Sequence, residues 1–550
     1  MISFNDNWIL RLAALLLIIC FVGCQTPEQY VEDADKDVYS ILDEKWQDGF
    51  GSKANYKISD GDPNTMDAVS LIPSSGVLKL ADAVGMATRY NRSYQSQKES
   101  LYRSALSLTE TRNQYAFQLL GTVDAAYTYD NFDQAYDLAD EKPEADMTTS
   151  ATLSRDFLIG DMMLISADLT TEWFRYLTGD PQTSLSSVLS ATLSAPLWGT
   201  GAAKTAREEL TQAERDVLYS IRSFNRYRQE FVVNIISDYY SVLQQEAGVK
   251  IQKDSYERLL VSTNQLRMEV EVGKTAAVDL GEAVQSELSA EQTLVTRTQS
   301  YERAMDEFKI TLALPTDTNI SLDPNELDLL ETIGISQPEY SVEEAIEMAL
   351  AQRLDLANVR DSLIDAERRL ILAADGLGPQ AELVVSADVR SYDSGSLPDT
   401  ENVMRLRFHE GTYSMGIIAD WPLNQTSQRN NYRRSLISVQ QQQRDYDEQI
   451  DRIKLQVRDS YRNLVQTAET YRIQKIGMDL ARKRLEAENI NLQYGRGDVR
   501  RLLDSEAALV QAQDDVVSAL VDHMIAKLSF FRDIGILRVK PDGMWEQVEL

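Results

Sequence analysis

The sequence has very little cysteine or histidine, and it is short of basic residues. Its 550 residues include two Cys, two His and 55 Lys plus Arg against 86 Asp plus Glu, which gives a net charge of −31 at pH 7. A chain with this balance lacks the cationic surface that nucleic-acid binding needs. His409 and His523 stand far apart, without the paired spacing of metal or catalytic sites. We therefore predict a protein that is not an enzyme, holds no metal or cofactor and binds no nucleic acid.

Long apolar runs are absent except near the N-terminus. Leu12–Val22 is apolar over 11 residues, the length of a signal-peptide core, whereas a membrane-spanning helix needs about 20. The run ends in FVGC, which resembles the lipobox of bacterial lipoproteins. That resemblance implies that residues 1–23 are removed and that Cys24 carries a lipid in the outer membrane. Ordinary cleavage that leaves a free thiol at Cys24 is the alternative.

Proline and glycine are scarce in two long stretches of the chain. Ala202–Val270 and Ser427–Gln493 contain no Pro and one Gly each. At 1.5 Å per residue each stretch predicts a helix of roughly 100 Å. Shorter helices are predicted in four other stretches: Val77–Arg112, Ala276–Leu312, Ser341–Ala374 and Val499–Asp533.

Between the short and the long helices the hydrophobic period changes from 3.6 to 2. Alternating apolar and polar residues predict strands in four segments: 117–130, 185–194, 382–390 and 412–421. This alternation is typical of membrane-spanning β-strands with a wet inner face, and a half-buried sheet in a soluble protein has the same period. Four strands cannot close a barrel, and open edges cannot face lipid. The membrane interpretation therefore requires several protomers to share one barrel.

The order of elements occurs twice along the chain. Val270–Leu280 and Leu492–Leu503, each with a Gly beside a basic residue, begin 222 positions apart, after one long helix and before a shorter one. Other matched segments are Leu80–Ala87 with Val342–Ala349, Asp238–Tyr240 with Asp459–Tyr461, and Phe308 with Phe530. An internal duplication explains both the matches and their common order.

Several motifs together resemble the TolC-like outer-membrane efflux protein family, the exit ducts of tripartite pumps. VGKTAAVDL and YGRGDVRRLLDSEAAL resemble the tip hairpins of the family. SVEEAIEMALAQRLDL resembles the helix that opens its second repeat, although Leu354 replaces the Pro often found there. SAPLWGTG and DWPLNQTS resemble its strand-to-helix junctions, where Pro196 and Pro422 would end the strands. The likeness spans roughly Val77–Ile536.

This resemblance implies a mixed α and β membrane protein built from two internal repeats. Three protomers would each give four strands to a twelve-stranded β-barrel, which would continue into a long periplasmic α-helical barrel. The long inserts after Asp130 and Arg390 would be loops at the outer face. The implied segments are a signal peptide (1–23), a lipid-anchored N-terminal linker or equatorial segment (24–76), the first repeat (77–312), an equatorial linker (313–340), the second repeat (341–536) and a C-terminal tail (537–550).

The same resemblance implies roles for the two tip hairpins. Gly273 and Gly495 would reverse the chain, and Lys274 and Arg496 would be exposed for docking of a periplasmic adaptor. A glycine suits this place because a positive φ is costly for other residues. The alternative is that each hairpin is only a solvated turn.

An aperture gate is expected just past each tip. In the family, carboxylates three residues apart face the lumen there; the corresponding positions are Arg501 and Asp504, and in the first repeat Asp279 and Glu282. A ring of Asp504 side chains could bind cations or hold bridges between protomers. The alternative is an i,i+3 pair of Arg501 with Asp504 on a wet helix face, worth about 0.2–0.5 kcal/mol.

The predicted function is a passive export duct for small molecules. It would work as a homotrimer in outer-membrane lipid, with a periplasmic adaptor (a membrane fusion protein) and an inner-membrane transporter that supplies the energy. A duct for type I protein secretion is an alternative within the same class. A lipid-anchored periplasmic coiled-coil scaffold, with a small soluble sheet, is the alternative from a different class.

Overall fold

Long helices and one antiparallel sheet make up most of the described chain in this computed structural model. The structure describes residues 26–46, 53, 56–58, 65–115, 120–130, 144–159, 163–176, 183–198, 202–335, 340–391, 406–420, 423–494, 496–540 and 543–544. Within these ranges no helix combines the length and the apolar character needed to cross a bilayer.

The first half of the chain contains short helices, four long strands, a very long helix and a return helix. In chain order its elements are α1 (Pro27–Lys45), α2 (Thr65–Ser70), β1 (Val77–Leu78), α3 (Leu80–Tyr90), α4 (Arg92–Tyr115), β2 (Leu120–Asp130), β3 (Glu144–Ile159), β4 (Met163–Tyr176), β5 (Thr183–Trp198), α5 (Ala202–Glu271) and α6 (Ala277–Thr311). The two helices α5 and α6 end within one residue of their predicted limits.

The second half repeats this order. Its elements are β6 (Ser321–Leu322), α7 (Asn325–Ile333), α8 (Val342–Gln352), α9 (Leu354–Asp375), β7 (Gln380–Arg390), β8 (Thr412–Asp420), α10 (Thr426–Gln493) and α11 (Val499–Asp533). The short strand β6 pairs in parallel with β1, so the segment between the two halves is joined to the start of the first. The repeated order is the one that an internal duplication predicts.

The described residues divide into two units. The sheet unit comprises Met1–Glu44, Arg103–Leu218 and Ser362–Gln443, and the helical unit comprises Lys45–Tyr102, Tyr219–Asp361 and Arg444–Leu550. The sheet unit contains all six long strands, and the helical unit contains both helix–helix turns.

The sheet unit has a six-stranded antiparallel sheet in the order β2-β3-β4-β5-β7-β8. The four predicted strands are present as β2, β5, β7 and β8. The expected count of four per protomer is corrected to six, because the insert after Asp130 contains β3 and β4 where the sequence predicts an outer loop. The composition of β4 explains the difference: apolar residues at Ile165, Ala167 and Leu169 alternate with Ser166, Asp168 and Thr170.

The strand register puts apolar positions on one face of the sheet and polar positions on the other. One row of paired positions consists of Leu153, Leu169, Leu189 and Val389. The adjacent row, on the opposite face, consists of Ser154, Asp168, Ser190 and Asp388. At one edge, β8 is exposed along its length, with Met415 and Ile417 exposed by 74% and 65%. The sheet of a single protomer therefore leaves a large apolar surface uncovered.

Pro196 does not end its strand as the family resemblance implies. Strand β5 continues to Trp198, with a register irregularity between the two residues. Because proline has no N–H to donate, it interrupts the hydrogen-bond ladder locally, as at a bulge, without stopping it. Pro422 lies outside the described residues.

The helix predicted at Val77–Arg112 is instead a short strand and two helices. The chain is extended at Asn91, between α3 and α4. The Asn91 carboxamide fixes this break, because its Oδ1 accepts the N–H of Tyr94 at 3.0 Å and its Nδ2 donates to the carbonyl of Thr311 at 2.8 Å. A side chain that bonds the backbone in this way competes with the helical conformation.

The helix predicted at Ser341–Ala374 is broken in the same manner, at Arg353 between α8 and α9. The buried Arg353 guanidinium donates to Asp355 at 2.7 Å and to Gln456 at 2.9 Å. Burial raises the pKa of Asp355, but the hydrogen bonds and charge of Arg353 outweigh burial and lower it overall. The ion pair thus fixes the break, although Leu354 stands where the family often has Pro.

Two matching aromatic pairs stabilise the helical unit. Tyr239 packs edge-on against Phe308 with ring centroids 6.0 Å apart, and Tyr461 packs in the same way against Phe530 at 5.9 Å. Both tyrosines and both phenylalanines are 222 positions apart, which is the spacing of the two turns. The sequence alignment matches Tyr240 with Tyr461 and is therefore wrong by one residue at this point.

One histidine is buried in the helical unit. His523 on α11 is 4% exposed, and its Nδ1 lies 3.3 Å from the hydroxyl of Thr467. Its Nε2 has no hydrogen-bond partner within the described residues. Burial, with a smaller contribution from Lys527, lowers the pKa of His523 to about 4.

This lowered pKa predicts a loss of stability in mild acid. Between the folded pKa of about 4 and the unfolded value of 6.5, the unfolded chain binds more protons, so stability falls as the pH drops through this window. The free energy of unfolding of the unchanged protein should fall between pH 7 and pH 4.5. We expect that of His523→Gln to fall by about 1–3 kcal/mol less over the same range. Thermal unfolding of the detergent-solubilised protein at several pH values measures this difference.

The matched control is His409→Gln, because the other histidine has an exposed side chain. It should keep the acid-dependent loss of the unchanged protein. If the stability of His523→Gln and that of the unchanged protein fall in parallel as the pH drops, His523 is not the cause of the acid-dependent loss.

Candidate functional site

The first helix–helix turn joins α5 to α6 in the helical unit. Gly273 has a φ of +72°, a left-handed conformation that glycine adopts without steric cost. The amine of Lys274 and the hydroxyl of Thr275 both donate to the carboxylate of Glu269, at 3.1 Å and 3.0 Å. These hydrogen bonds lower the pKa of Glu269. The Lys274 side chain is 64% exposed, so this turn presents a cation that is only partly neutralised.

The second turn joins α10 to α11. Gly495 lies outside the described residues, whereas the backbone N–H of Arg496 donates to the carbonyl of Asn491 at 2.9 Å. Asp498 caps α11, since its side chain accepts the N–H of Arg500 at 3.0 Å. An oxygen-bearing side chain at this position satisfies one of the N–H groups that a helix start leaves free.

A glycine that the second turn requires is Gly497. A Cβ at this position would lie 2.5 Å from the backbone nitrogen of Leu492 and 2.7 Å from its Cα. Both distances are far below van der Waals contact, so any side chain would force the turn open. The GRG sequence of this hairpin offered two glycines, and the family alignment selected only Gly495.

The four gate candidates are placed differently by the structure. Glu282 on α6 and Asp504 on α11 line the same groove in the helical unit, and Asp279 and Arg501 are not among the residues that line it. Within the described residues neither Glu282 nor Asp504 has a side-chain hydrogen bond or ion pair. Arg501 lies 3.9 Å from Asp498 and forms no pair with Asp504 in this part of the chain. Each repeat therefore contributes one of the gate candidates to the lining of this groove.

A buried carboxylate in the same groove is paired across the repeats. Glu506 is 6% exposed and accepts a hydrogen bond from Nε of Arg258 on α5 at 2.7 Å. A second bridge joins Arg297 on α6 to Asp514 on α11 at 2.5 Å, and Arg297 also donates to the carbonyl of Gly248. The sequence does not indicate either bridge, because the partners are more than 200 residues apart and no local pattern links them.

Apolar contacts hold the two turns together beneath these polar groups. Leu266, Ala283 and Val499 form a buried cluster, and further leucines pack against it: Leu280, Leu492 and Leu503. Each of the four helices near the turns contributes at least one of these side chains. The cluster contains no group that could act as a nucleophile or bind a metal.

The comparisons with known proteins agree with this architecture. Residues 144–308 match the family model described as outer membrane efflux protein. No curated protein matches the chain by sequence.

Solved outer-membrane channels share the fold. The MtrE outer membrane channel of Neisseria gonorrhoeae, in its open state, matches with a TM-score of 0.60 at 13% identity, covering 84% of this chain and 90% of its own. The CmeC channel of Campylobacter jejuni matches with a TM-score of 0.58 at 12% identity, covering 92% and 93%. The VceC outer membrane protein of Vibrio cholerae matches with a TM-score of 0.57 at 13% identity, covering 83% and 96%.

The glycines near the turns allow a graded test of the turn geometry. We expect Gly497→Ala to cost the most stability, because its Cβ would meet the backbone of Leu492. Gly273→Ala should cost about 1–2 kcal/mol, because its φ is +72° although nothing lies within 4 Å. The measurement is thermal unfolding together with hydrogen exchange of the amides at the turns.

Gly281→Ala is the matched control on α6. Its Cβ would meet nothing within 4 Å, and alanine favours the helix by about 0.5–1 kcal/mol over glycine. Equal effects at Gly497 and Gly281 would contradict the described turn.

Proposed function

We propose that the chain is a passive exit duct, because residues 144–308 match the outer membrane efflux protein model and the chain has the fold of solved outer-membrane channels. It carries small molecules across the bacterial outer membrane. The single observation that supports this most strongly is the two-faced sheet. Its apolar face suits lipid, its polar face suits water, and within the described residues each of its edge strands has only one neighbour.

Closure of the sheet requires other copies of the chain. An exposed strand edge cannot face hydrocarbon, because its N–H and C=O groups would have no partners. The six strands alternate in direction, so β8 of one protomer can pair antiparallel with β2 of the next. A homotrimer is the assembly that the family resemblance implies, and outer-membrane lipid then surrounds the apolar face.

A passive duct takes its driving force from partners. We assign these as a periplasmic adaptor and an inner-membrane transporter, which together make a tripartite system. The exposed side chain of Lys274 at the first turn supports adaptor docking there, and Arg496 is the corresponding cation at the second. Three protomers would present six such turns.

Gating is assigned to the groove lined by α5, α6 and α11. Within the described residues the carboxylates of Glu282 and Asp504 have no ion-pair partner, while Arg258 pairs with the buried carboxylate of Glu506. Copies of the unpaired carboxylates around a threefold axis would repel one another unless cations bound between them. The bridges from Arg258 and Arg297 to α11 then keep the helices of one protomer in register.

Lipid attachment at Cys24 completes the proposal. The FVGC sequence supports it, and Cys24 lies outside the described residues. The acyl chain would attach the N-terminus to the outer membrane into which the sheet inserts. It would add to membrane binding without forming the pore itself.

The duct predicts a trimer that depends on detergent or lipid. We expect the purified protein to migrate as a heat-modifiable trimer and to form conducting channels in planar bilayers. We also expect conduction to favour cations, because the polar face includes Asp168, Glu172 and Asp388. Reversal potentials in a salt gradient measure this preference.

The Cys24→Ala variant separates the duct from the scaffold alternative. A duct without its lipid still needs detergent and still conducts, because the sheet spans the bilayer by itself. A water-soluble, monomeric Cys24→Ala protein without conductance would contradict the duct and support a periplasmic scaffold.

The gate predicts sensitivity to divalent cations. Each carboxylate near a divalent ion contributes about 2 kcal/mol even in a medium like water. We therefore expect Asp504→Asn to raise the divalent-ion concentration that half-blocks conductance by at least about tenfold. Asp459→Asn, an exposed carboxylate on α10 outside the groove, is the control and should leave the block unchanged. If the divalent-ion concentration that half-blocks conductance is the same in both variants, Asp504 is not part of the gate.

A further inference from the structure

The β3–β4 hairpin is the feature that the proposed function does not explain. In the sequence it occupies a position where an outer loop is expected. In the sheet it lies between β2 and β5, which have no direct pairing with each other among the described residues. A hairpin that only decorated an outer rim would leave those two strands adjacent. Here it separates them and takes part in the wall of the sheet.

The hairpin is also long enough to cross a membrane. β3 has 16 residues and β4 has 14, whereas a tilted membrane-spanning strand needs about 9–11. Ile159, the last residue of β3, pairs with Met163, the first residue of β4, at the end of the sheet where β2 begins after α4 and β5 leads into α5. The two strands therefore extend over the full height that β2 and β5 cover.

Both faces of the sheet continue through the hairpin without interruption. On one face, Leu169 lies between Leu153 and Leu189 in the strand register. On the other face, the hydroxyls of Thr152 and Thr170 lie 3.2 Å apart and join β3 to β4. A solvated hairpin would gain no stability from an apolar face that continues the apolar face of the neighbouring strands.

The polar face of the hairpin is strongly acidic. The even-numbered positions of β3 and β4 share the face of Asp388, and they include Lys or Arg at no position. Acidic residues occupy five of them: Glu144, Asp146, Asp156, Asp168 and Glu172. The two arginines of these strands, Arg155 and Arg175, are at odd-numbered positions near the strand ends. The hairpin thus adds only negative charge to this face.

We propose that the β3–β4 hairpin forms part of the membrane-spanning wall, so that three protomers build an eighteen-stranded barrel with an acidic lumen that admits bulky cationic solutes. Barrel diameter grows roughly linearly with strand number, so eighteen strands widen the barrel by about half relative to twelve. Barrels of 16–18 strands leave an aqueous channel, and the added carboxylates raise the local concentration of cations. This inference rests on the proposed function, because it requires that the sheet spans a bilayer.

Single cysteines on β4 test the placement of the hairpin. Ser166→Cys and Asp168→Cys are on the polar face, and Ala167→Cys and Leu169→Cys are on the apolar face. In liposomes we expect a charged thiol reagent to label the polar-face variants at least about tenfold faster, because a charged reagent enters hydrocarbon at high cost. The parent protein without an added cysteine gives the background.

The same experiment on β5 separates this inference from the proposed function. Ser190→Cys and Leu189→Cys are the register partners of the β4 positions Asp168 and Leu169. Equal labelling of both faces on β4, with protection of Leu189→Cys, would overturn the hairpin proposal and leave the duct intact. Equal labelling on both strands would show that the sheet does not lie in lipid, and the duct proposal would then fail as well.

The charge of the lumen is tested at the same place. The measured quantity is the labelling rate of a cationic thiol reagent divided by that of an anionic one. We expect this ratio to be at least about twofold higher for Ser166→Cys than for a free thiol in solution. Adding Asp168→Asn to this variant should reduce that excess, because it removes a carboxylate from the same face. A ratio equal to that of the free thiol in both proteins would overturn the acidic lumen.

Discussion

The need to pair every strand edge governs the rest of this molecule. A β-sheet with two open edges and one apolar face is stable in lipid only when it closes on itself. One copy of the chain supplies six strands whose directions alternate, and the exposed strand β8 has no second neighbour in the described residues. Oligomerisation is therefore a condition of the fold in a membrane, and an even number of strands per copy lets every contact between copies be antiparallel.

In the helical unit, a second set of contacts holds the two repeats side by side. A buried apolar cluster joins the two turns, and the ion pairs from Arg258 and Arg297 reach across the repeats to α11. Glu506 is nearly inaccessible to water, so the loss of Arg258 would leave a buried charge unpaired. The carboxylates of Glu282 and Asp504 have no such partners within the described chain. Within the described chain this groove therefore contains one paired carboxylate, Glu506, and two without an ion-pair partner.

The sequence predicted the channel fold and the two long helices, and both are confirmed. The match of residues 144–308 to the outer membrane efflux protein model agrees with the predicted family. Periodicity was sufficient because the helices lack Pro and the strands alternate regularly. It failed at Asn91 and Arg353, where side chains bond distant groups and break helices that local propensity would continue. It also failed at β4, whose alternation is regular but follows a stretch rich in Asp and Glu that suggested a loop. The ion pairs of the groove could not be predicted, since each joins residues distant in the chain.

The constant offset between the two aromatic pairs limits how this protein can change in length. Tyr239 and Tyr461 are each 34 residues before the glycine of their turn, Gly273 or Gly495. Adding one residue to a helix turns everything beyond it by about 100°, so an insertion in one half would carry its ring contacts and its hairpin out of phase with the other. The long helices can then be lengthened or shortened only in steps of about seven residues, which is two helical turns or roughly 10 Å. The same step must be made in both halves of the chain. Insertions or deletions that keep both sets of contacts are therefore discrete and matched between the two repeats.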